Sequence, residues 1–89
     1  MLDIAIHKEF TKSVQKTKLN PTNTAKLFLY ISLLLNEEEL PKESRDHALT
    51  GKYRDTHEFH ISGDLLVVYR VADSTLELLK LGTHSQLFK

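Results

Sequence analysis

Three of the five histidines in this 89-residue chain fall at or near the predicted ends of secondary-structure elements: His47, His60 and His84. Asp64 follows His60 by four residues, across a turn that contains glycine. A hairpin with a three-residue loop would set His60 opposite Asp64. A carboxylate orients an imidazole and favours its charged form, so such a pair can act in acid–base chemistry. The alternative interpretation is a surface pair that happens to share one face.

The register of this hairpin decides which side chains share a face. A two-residue Ser62-Gly63 loop would pair Ile61 with Asp64, whereas a three-residue loop would pair His60 with Asp64. The three-residue loop collects mainly apolar side chains on a face under the helices: Tyr53, His57, Phe59, Leu65, Val67, Tyr69 and Val71. The opposite face is then open and polar: Arg54, Thr56, Glu58, His60, Asp64, Leu66, Val68 and Arg70. Because burial of a whole face fixes register, we expect this second arrangement.

The residue types also limit the cofactor chemistry. The chain has no cysteine, which excludes disulfides, cysteine-ligated zinc and thiol nucleophiles. A histidine-based metal site is conceivable, but there is no HxH or HExxH pair, so we predict no metal and no other cofactor. His7, which opens a helix, and His57, on the helix-covered face, are interpreted as structural.

Composition predicts one small globular domain over residues 1–89, with 40% hydrophobic and 27% charged residues. The formal net charge is zero, so bulk electrostatics would not hold a nucleic acid, and RNA binding would need a local patch or a large partner. The N-terminus lacks the apolar region of a signal peptide, and no apolar run is long enough to span a bilayer. We therefore expect a cytoplasmic protein with no membrane partner.

The predicted order of elements is that of an α+β two-layer domain. A strand at Leu2–Ile6 precedes a helix at His7–Lys18, and a second helix starts at Asn20-Pro21 and ends near Glu37. Its apolar stripe should cover the core: Leu27, Phe28, Ile31, Leu34 and Leu35. A polar loop at Pro41–Thr50 leads to three antiparallel strands: Tyr53–Ile61, Asp64–Val71 and Leu76–Leu81. The first helix carries Lys8, Lys12, Lys16 and Lys18, which form either a solvated face or an RNA contact.

Two segments carry a more specific pattern: DHALTGKYRDTHEFHISGDLLVVYRV and LLKLGTHSQLF. They resemble the YafQ branch of the RelE/ParE toxin superfamily, closely over Asp46–Phe88 and only in architecture over the first 45 residues. The resemblance implies a RelE-like β-α-α-β-β-β fold and a type II toxin neutralised by a cognate antitoxin. It also implies a metal-independent enzyme that binds the ribosomal A site and cuts mRNA there. In that reaction the ribose 2′-OH attacks the adjacent phosphate, leaving a 2′,3′-cyclic phosphate and a 5′-OH.

The resemblance assigns catalytic roles to His47, His60, Asp64 and His84, with His60 and Asp64 acting as one unit. In this interpretation His84 is the counterpart of that unit, and His47 orients the phosphate. RNA binding is predicted for four further residues: Arg54, Arg70, Lys80 and Phe88. Phe88 would lie against a nucleobase, and Leu87 would pack in the core.

Two features near the C-terminus decide whether these side chains reach one site. Gly82 is expected to turn the chain off the last strand so that His84 faces the open side of the sheet. A two-residue Asp73-Ser74 turn would pair Arg70 with Glu77 and put Lys80 under the helices, so Lys80 can act only if that turn is one residue longer.

Two other functions remain open for the same fold. One is a ParE-like toxin that acts on DNA gyrase without cutting RNA, a branch that lacks the His-Asp-His set. The other is a catalytically decayed module that only binds antitoxin.

Overall fold

The computed structural model describes residues 1–51 and 55–88. The elements are β1 Asp3–Ile6, α1 Lys8–Lys16, α2 Pro21–Leu35, a 3-10 turn at Lys42–Ser44, β2 His47–Ala48, β3 His57–Ser62, β4 Leu65–Ala72, β5 Thr75–Thr83 and α3 His84–Leu87. This order confirms the predicted α+β class of a strand, two helices and a strand meander. The predictions for Tyr53 and Arg54 lie outside the described residues.

The strands form one mixed sheet in the order β1-β5-β4-β3-β2. β1 pairs in parallel with β5, and the other neighbours are antiparallel. The short strand β2 falls where a loop was predicted, because two residues are too few to show a period of two. Its pairing sets His47 opposite Glu58, which brings a loop histidine to the edge of the sheet.

Both long helices cover one face of this sheet. Asn20 begins α2 as predicted, since its Oδ1 accepts a 2.7 Å hydrogen bond from the N–H of Asn23. Leu27 and Tyr30 of α2 are buried, and the Tyr30 ring meets Phe59 edge-on at 5.5 Å. The prediction that Phe28 faces the core is wrong, because its side chain is 66% exposed. One residue beyond Leu27 is about 100° around the helix, which turns Phe28 away from the sheet.

The β3–β4 hairpin has neither predicted register. Ser62 pairs with Leu65 around a two-residue turn, and an irregularity between His60 and Ser62 sets His60 opposite Leu66. The expected pairing of His60 with Asp64 is therefore wrong by two positions. A shift of two leaves the side chains of the paired β3 and β4 residues on their predicted faces, because the side-chain period of a strand is two.

The predicted open face is closed over part of its area. Glu58, Leu66 and Val68 are each exposed by 1% or less. The C-terminal tail lies against this face, where a Cβ on Gly82 would come within 3.2 Å of Leu87 Cδ2. The sheet is thus packed on one side by two helices and on part of the other by its own C-terminus.

The β4–β5 hairpin brings Lys80 to the face opposite the helices, although its turn is the short one. Its turn is the short Asp73-Ser74 form, which pairs Arg70 with Glu77. A bulge in the register between Val68 and Tyr69 then sets Lys80 opposite Val68. The inserted residue reverses the alternation, so Lys80 lies on the same face as Glu58 without a longer turn.

Within the part of the chain that the structure describes, no helix combines the length and apolar character needed to cross a bilayer.

Candidate active site

A cavity of about 450 Å³ opens on the helix-free face of the sheet, where β2, β3 and the C-terminal tail meet. Most of the residues that line it have polar side chains, among them three imidazoles and two carboxylates: Arg45, His47, Leu49, Glu58, His60, Gly63, Asp64 and His84. All four predicted catalytic residues therefore line one cavity.

The carboxylate of Glu58 is the centre of this arrangement. Its Oε2 lies 3.2 Å from His60 Nε2 and 3.4 Å from His47 Nε2. Its Oε1 lies 3.7 Å from His84 Nε2. One carboxylate thus joins imidazoles from β2, β3 and α3.

Burial gives this carboxylate an unusual electrostatic position. The Glu58 side chain is 1% exposed, and its Oε1 is buried without a hydrogen-bond partner. A buried carboxylate charge is tolerated when cationic or hydrogen-bonding groups face it, and here the Nε2 atoms of His60 and His84 do so. The unpartnered Oε1 leaves one acceptor directed toward His84.

The histidines differ in access to solvent. The side chains of His47 and His84 are 52% and 56% exposed, whereas that of His60 is 9% exposed. His60 lies on β3 two residues after Glu58, and both side chains point to the same face. A bound substrate would therefore meet His47 and His84, with the His60–Glu58 pair beneath them.

The segment between the 3-10 turn and β2 fixes His47. The carbonyl of Arg45 accepts a 2.6 Å hydrogen bond from His47 Nδ1, which directs Nε2 toward Glu58. Asp46 accepts a 2.5 Å hydrogen bond from the Tyr69 hydroxyl. Burial first, and then the hydrogen bond to Asp46 and its charge, raise the pKa of Tyr69, so the hydroxyl remains a donor at neutral pH.

The C-terminal tail fixes His84. Thr83 caps α3 through its Oγ1, which accepts from the N–H of Gln86, while Gln86 Oε1 accepts from the N–H of Thr83. Gly82 lies inside β5 opposite Leu66, so the expectation that it forms the turn is wrong. Its role is close approach, because a Cβ there would be 2.9 Å from Gln86 Oε1.

Asp64 contacts His84 instead of the predicted His60. Its Oδ1 accepts a long 3.4 Å hydrogen bond from the backbone N–H of His84 and lies 4.0 Å from His84 Nδ1. His60 is therefore paired with Glu58, whereas Asp64 lies beside His84, whose Nε2 also faces Glu58.

The predicted RNA-binding residues are not all brought together. Phe88 packs edge-on against the His84 ring at 5.2 Å, beside the cavity. Lys80 Nζ lies 5.7 Å from the centre of the Phe88 ring and 3.4 Å from the Leu87 carbonyl, and it lines a separate depression beside α1. Arg70 lines a third depression, where its guanidinium pairs with Glu77 at 2.8 Å. Arg54 lies outside the described residues.

Sequence reasoning overlooked two residues of the site. Glu58 lies on the face predicted for it but has no predicted role, although its spacing of two from His60 is a usable signal. Arg45 gives no local signal, because its position depends on a left-handed backbone (φ 49°, ψ 42°) at the end of the 3-10 turn. Among residues 1–51 and 55–88, no three His, Asp or Glu side chains are arranged to hold a metal ion.

The chain is similar to known proteins along nearly its whole length. A family model described as a bacterial toxin of type II toxin-antitoxin systems, YafQ, matches residues 2–89. The mRNA interferase toxin YafQ of Escherichia coli K12 is 29% identical over 97% of this chain and 95% of its own length.

Solved structures agree with this match. A copper-bound mutant toxin from Helicobacter pylori is 41% identical, with a TM-score of 0.92 over 99% of this chain and 100% of that one. YafQ in the E. coli DinJ–YafQ complex is 28% identical, with a TM-score of 0.87 over 100% of both chains. The chain belongs to the YafQ family of bacterial type II toxins.

Proposed function

We propose that this toxin is an endoribonuclease that cuts mRNA in the ribosomal A site and is neutralised by an antitoxin protein. The observation that carries the proposal is the convergence of three imidazoles on one buried carboxylate inside an open cavity. The name of the E. coli relative supports mRNA as the substrate, and the DinJ–YafQ complex supports a protein antitoxin.

Cleavage needs one group that takes the 2′-OH proton and one that protonates the leaving 5′-oxygen. We assign these roles to the two exposed histidines. His47 is the base, because its Nδ1 hydrogen is held by the Arg45 carbonyl and its Nε2 exchanges the proton. His84 is the acid, because an imidazolium there is met by Glu58 at Nε2 and by Asp64 at Nδ1.

The proposed cleavage step needs only the RNA and the two histidines. The 2′-oxygen gives its proton to His47 and attacks phosphorus, the bond from phosphorus to the 5′-oxygen breaks, and His84 protonates that oxygen. The products are a 2′,3′-cyclic phosphate and a 5′-OH. Buried Glu58 balances the positive charge as it moves from one imidazole to the other.

The zero net charge supports ribosome dependence. A neutral protein gains little from the phosphate backbone of free RNA, so binding to message alone should be weak. The ribosome would hold the message and supply the remaining contacts, with Phe88 beside the His84 ring as a stacking surface for a base.

The proposal is tested by inducing the toxin in bacteria, with and without its antitoxin, and mapping cuts on a translated and an untranslated message by primer extension. We expect growth arrest, cuts in the translated message alone, and relief by the antitoxin. Separate His47→Ala, His60→Ala, Asp64→Ala and His84→Ala variants should remain folded and lose the cuts. Arrest without cuts would point to a gyrase-directed toxin, and absence of arrest to a module that only binds antitoxin.

Metal independence is tested in the purified system. We expect the cleavage rate to be unchanged after dialysis against a chelator of transition metals. A loss of activity restored by one divalent transition metal would contradict this part of the proposal.

A further inference from the structure

The cavity needs a cation for the phosphate, and the predicted one lies elsewhere. Lys80 Nζ lies beside the Leu87 carbonyl and the Phe88 ring, and the side chain lines the depression next to α1. Among the described residues, Arg45 is the one lysine or arginine that lines the cavity. Its side chain is exposed, so it is accessible to a ligand.

The backbone of Arg45 is held on both sides while its side chain points into the cavity. Ser44 before it is fully buried, with its hydroxyl on the Pro41 carbonyl at 2.7 Å. Asp46 after it is bonded to Tyr69. The backbone that carries the guanidinium is thus fixed beside the cavity, and the guanidinium offers a fork of N–H donors suited to two phosphate oxygens.

The guanidinium and a backbone carbonyl compete for the same atom of His60. Arg45 Nη2 lies 3.1 Å from His60 Nδ1, and the Gly63 carbonyl oxygen lies 3.3 Å from it. A guanidinium only donates, so its bond requires a lone pair on Nδ1. A carbonyl only accepts, so its bond requires a hydrogen on the same nitrogen. In both cases Nε2 keeps its hydrogen and donates to Glu58 at 3.2 Å.

We propose that Arg45 is the phosphate-binding residue of the site and that it controls the protonation of His60. In the free protein the guanidinium donates to Nδ1 and holds His60 neutral, with its hydrogen on Nε2. When a phosphate enters, the guanidinium turns to the phosphate oxygens. Nδ1 then takes one proton from solvent, keeps it, and donates a hydrogen bond to the Gly63 carbonyl.

The groups around His60 allow this change. Glu58 faces the Nε2 of His60 from the same strand. The His84 ring, on α3, lies with its centre 6.3 Å from the centre of the His60 ring. His47 and Asp64 line the same cavity. Protonation of His60 places a full imidazolium against Glu58 when the phosphate binds. Phosphate binding would thus convert the buried His60–Glu58 contact into an ion pair before cleavage. This inference rests on the proposed nuclease function, which it deepens.

The test uses the full chain labelled with 15N in its histidines and inorganic phosphate as the probe. At neutral pH, long-range 1H–15N spectra should show His60 as the neutral tautomer with hydrogen on Nε2. Titration with phosphate should convert it to the doubly protonated form, whereas chloride at equal ionic strength should not. A His60 spectrum that is insensitive to phosphate would overturn the inference.

Variants separate this inference from the nuclease itself. Arg45→Gln removes the charge but keeps the backbone carbonyl that holds His47, and Lys42→Gln is the matched control outside the cavity. We expect Arg45→Gln to lose the phosphate response and at least about 100-fold in the rate of cleavage, with Lys42→Gln within about twofold of the unmodified protein. Arg45→Lys should restore part of the rate.

The outcomes are distinguishable. Full cleavage by a folded Arg45→Gln protein would overturn the role of Arg45 and leave the nuclease intact. A normal His60 response to phosphate in a protein that cuts no message would overturn the nuclease and leave the phosphate site intact.

Discussion

The hydroxyl of Tyr69 donates a 2.5 Å hydrogen bond to Asp46, and this bond joins the two sides of the sheet. Tyr69 is 3% exposed and belongs to the helix-covered core. Asp46 lies between Arg45 and His47, both of which line the cavity on the other side. The loop that carries two site residues is therefore anchored to the hydrophobic core.

Replacing Tyr69 with Phe should both loosen the site and destabilise the fold. Loss of one hydrogen bond to a carboxylate should lower the free energy of unfolding by about 1–2 kcal/mol, measured by urea denaturation. Cleavage should fall by about tenfold, because His47 loses its fixed position. Tyr30→Phe removes the same atom from another buried tyrosine, one that packs on Phe59, and it should retain the rate. Equal effects of the two variants on cleavage would contradict the anchoring role.

Glu58→Gln should abolish cleavage while keeping the shape of the side chain. The amide cannot balance a charge that moves between His47 and His84, so we expect a loss of about 100-fold or more in single-turnover rate. Glu77→Gln is the matched control, since Glu77 also contacts a histidine, His7 at 2.9 Å, but lies away from the cavity. A Glu58→Gln protein that cuts as fast as Glu77→Gln would exclude the carboxylate from the mechanism.

The ion pairs of Glu77 predict part of the acid sensitivity of the fold. Hydrogen bonds from Arg70 and then His7 hold the pKa of Glu77 at about 2. Because the pKa of Glu77 in the folded state is below its ordinary value of 4.5, the ionised carboxylate stabilises the fold at pH values above 4.5. The fold loses this stabilisation as the pH falls toward 2 and the carboxylate is protonated. Thermal unfolding from pH 7 to pH 2 should therefore show a smaller decrease in Tm for Glu77→Gln. An identical pH dependence in the two proteins would contradict the assignment.

Gly82→Ala should displace the tail and leave the rest of the fold in place. The new Cβ would be 2.9 Å from Gln86 Oε1 and 3.2 Å from Leu87 Cδ2, so these two side chains must move. Movement of Gln86 would weaken the capping box that starts α3 at His84. We expect about a tenfold loss of cleavage and changed NMR signals confined to residues near the tail. Val71→Ala, a change of an exposed side chain on β4 outside the cavity, should leave the cleavage rate and the tail signals unchanged.

Much of the fold follows from local patterns in the sequence, and the details of the site do not. The Asn20-Pro21 helix start and the alternation that puts Phe59 and Val67 under the helices are local, and both are confirmed. The hairpin irregularity before Ser62 and the bulge that redirects Lys80 depend on packing between strands, which no single strand encodes.

The same distinction explains the site. The resemblance to YafQ toxins identified His47, His60, Asp64 and His84, and the structure brings all four to one cavity. Their partners could not be predicted, because Glu58 becomes central only when the two-residue strand β2 and the tail fold over it. The catalytic roles of these residues stay predictions until they are tested by mutation.

The most direct test of the account is single-turnover cleavage on ribosomes programmed with a message that carries sulfur in place of the leaving 5′-oxygen. A thiolate leaves without protonation, so this substrate needs no acid. We expect His84→Gln to lose cleavage of the ordinary message and to recover it on the sulfur-substituted one, whereas His47→Gln should fail on both. Equal recovery by the two variants, or recovery by His47→Gln alone, would contradict the assignment of His47 and His84 as base and acid around Glu58.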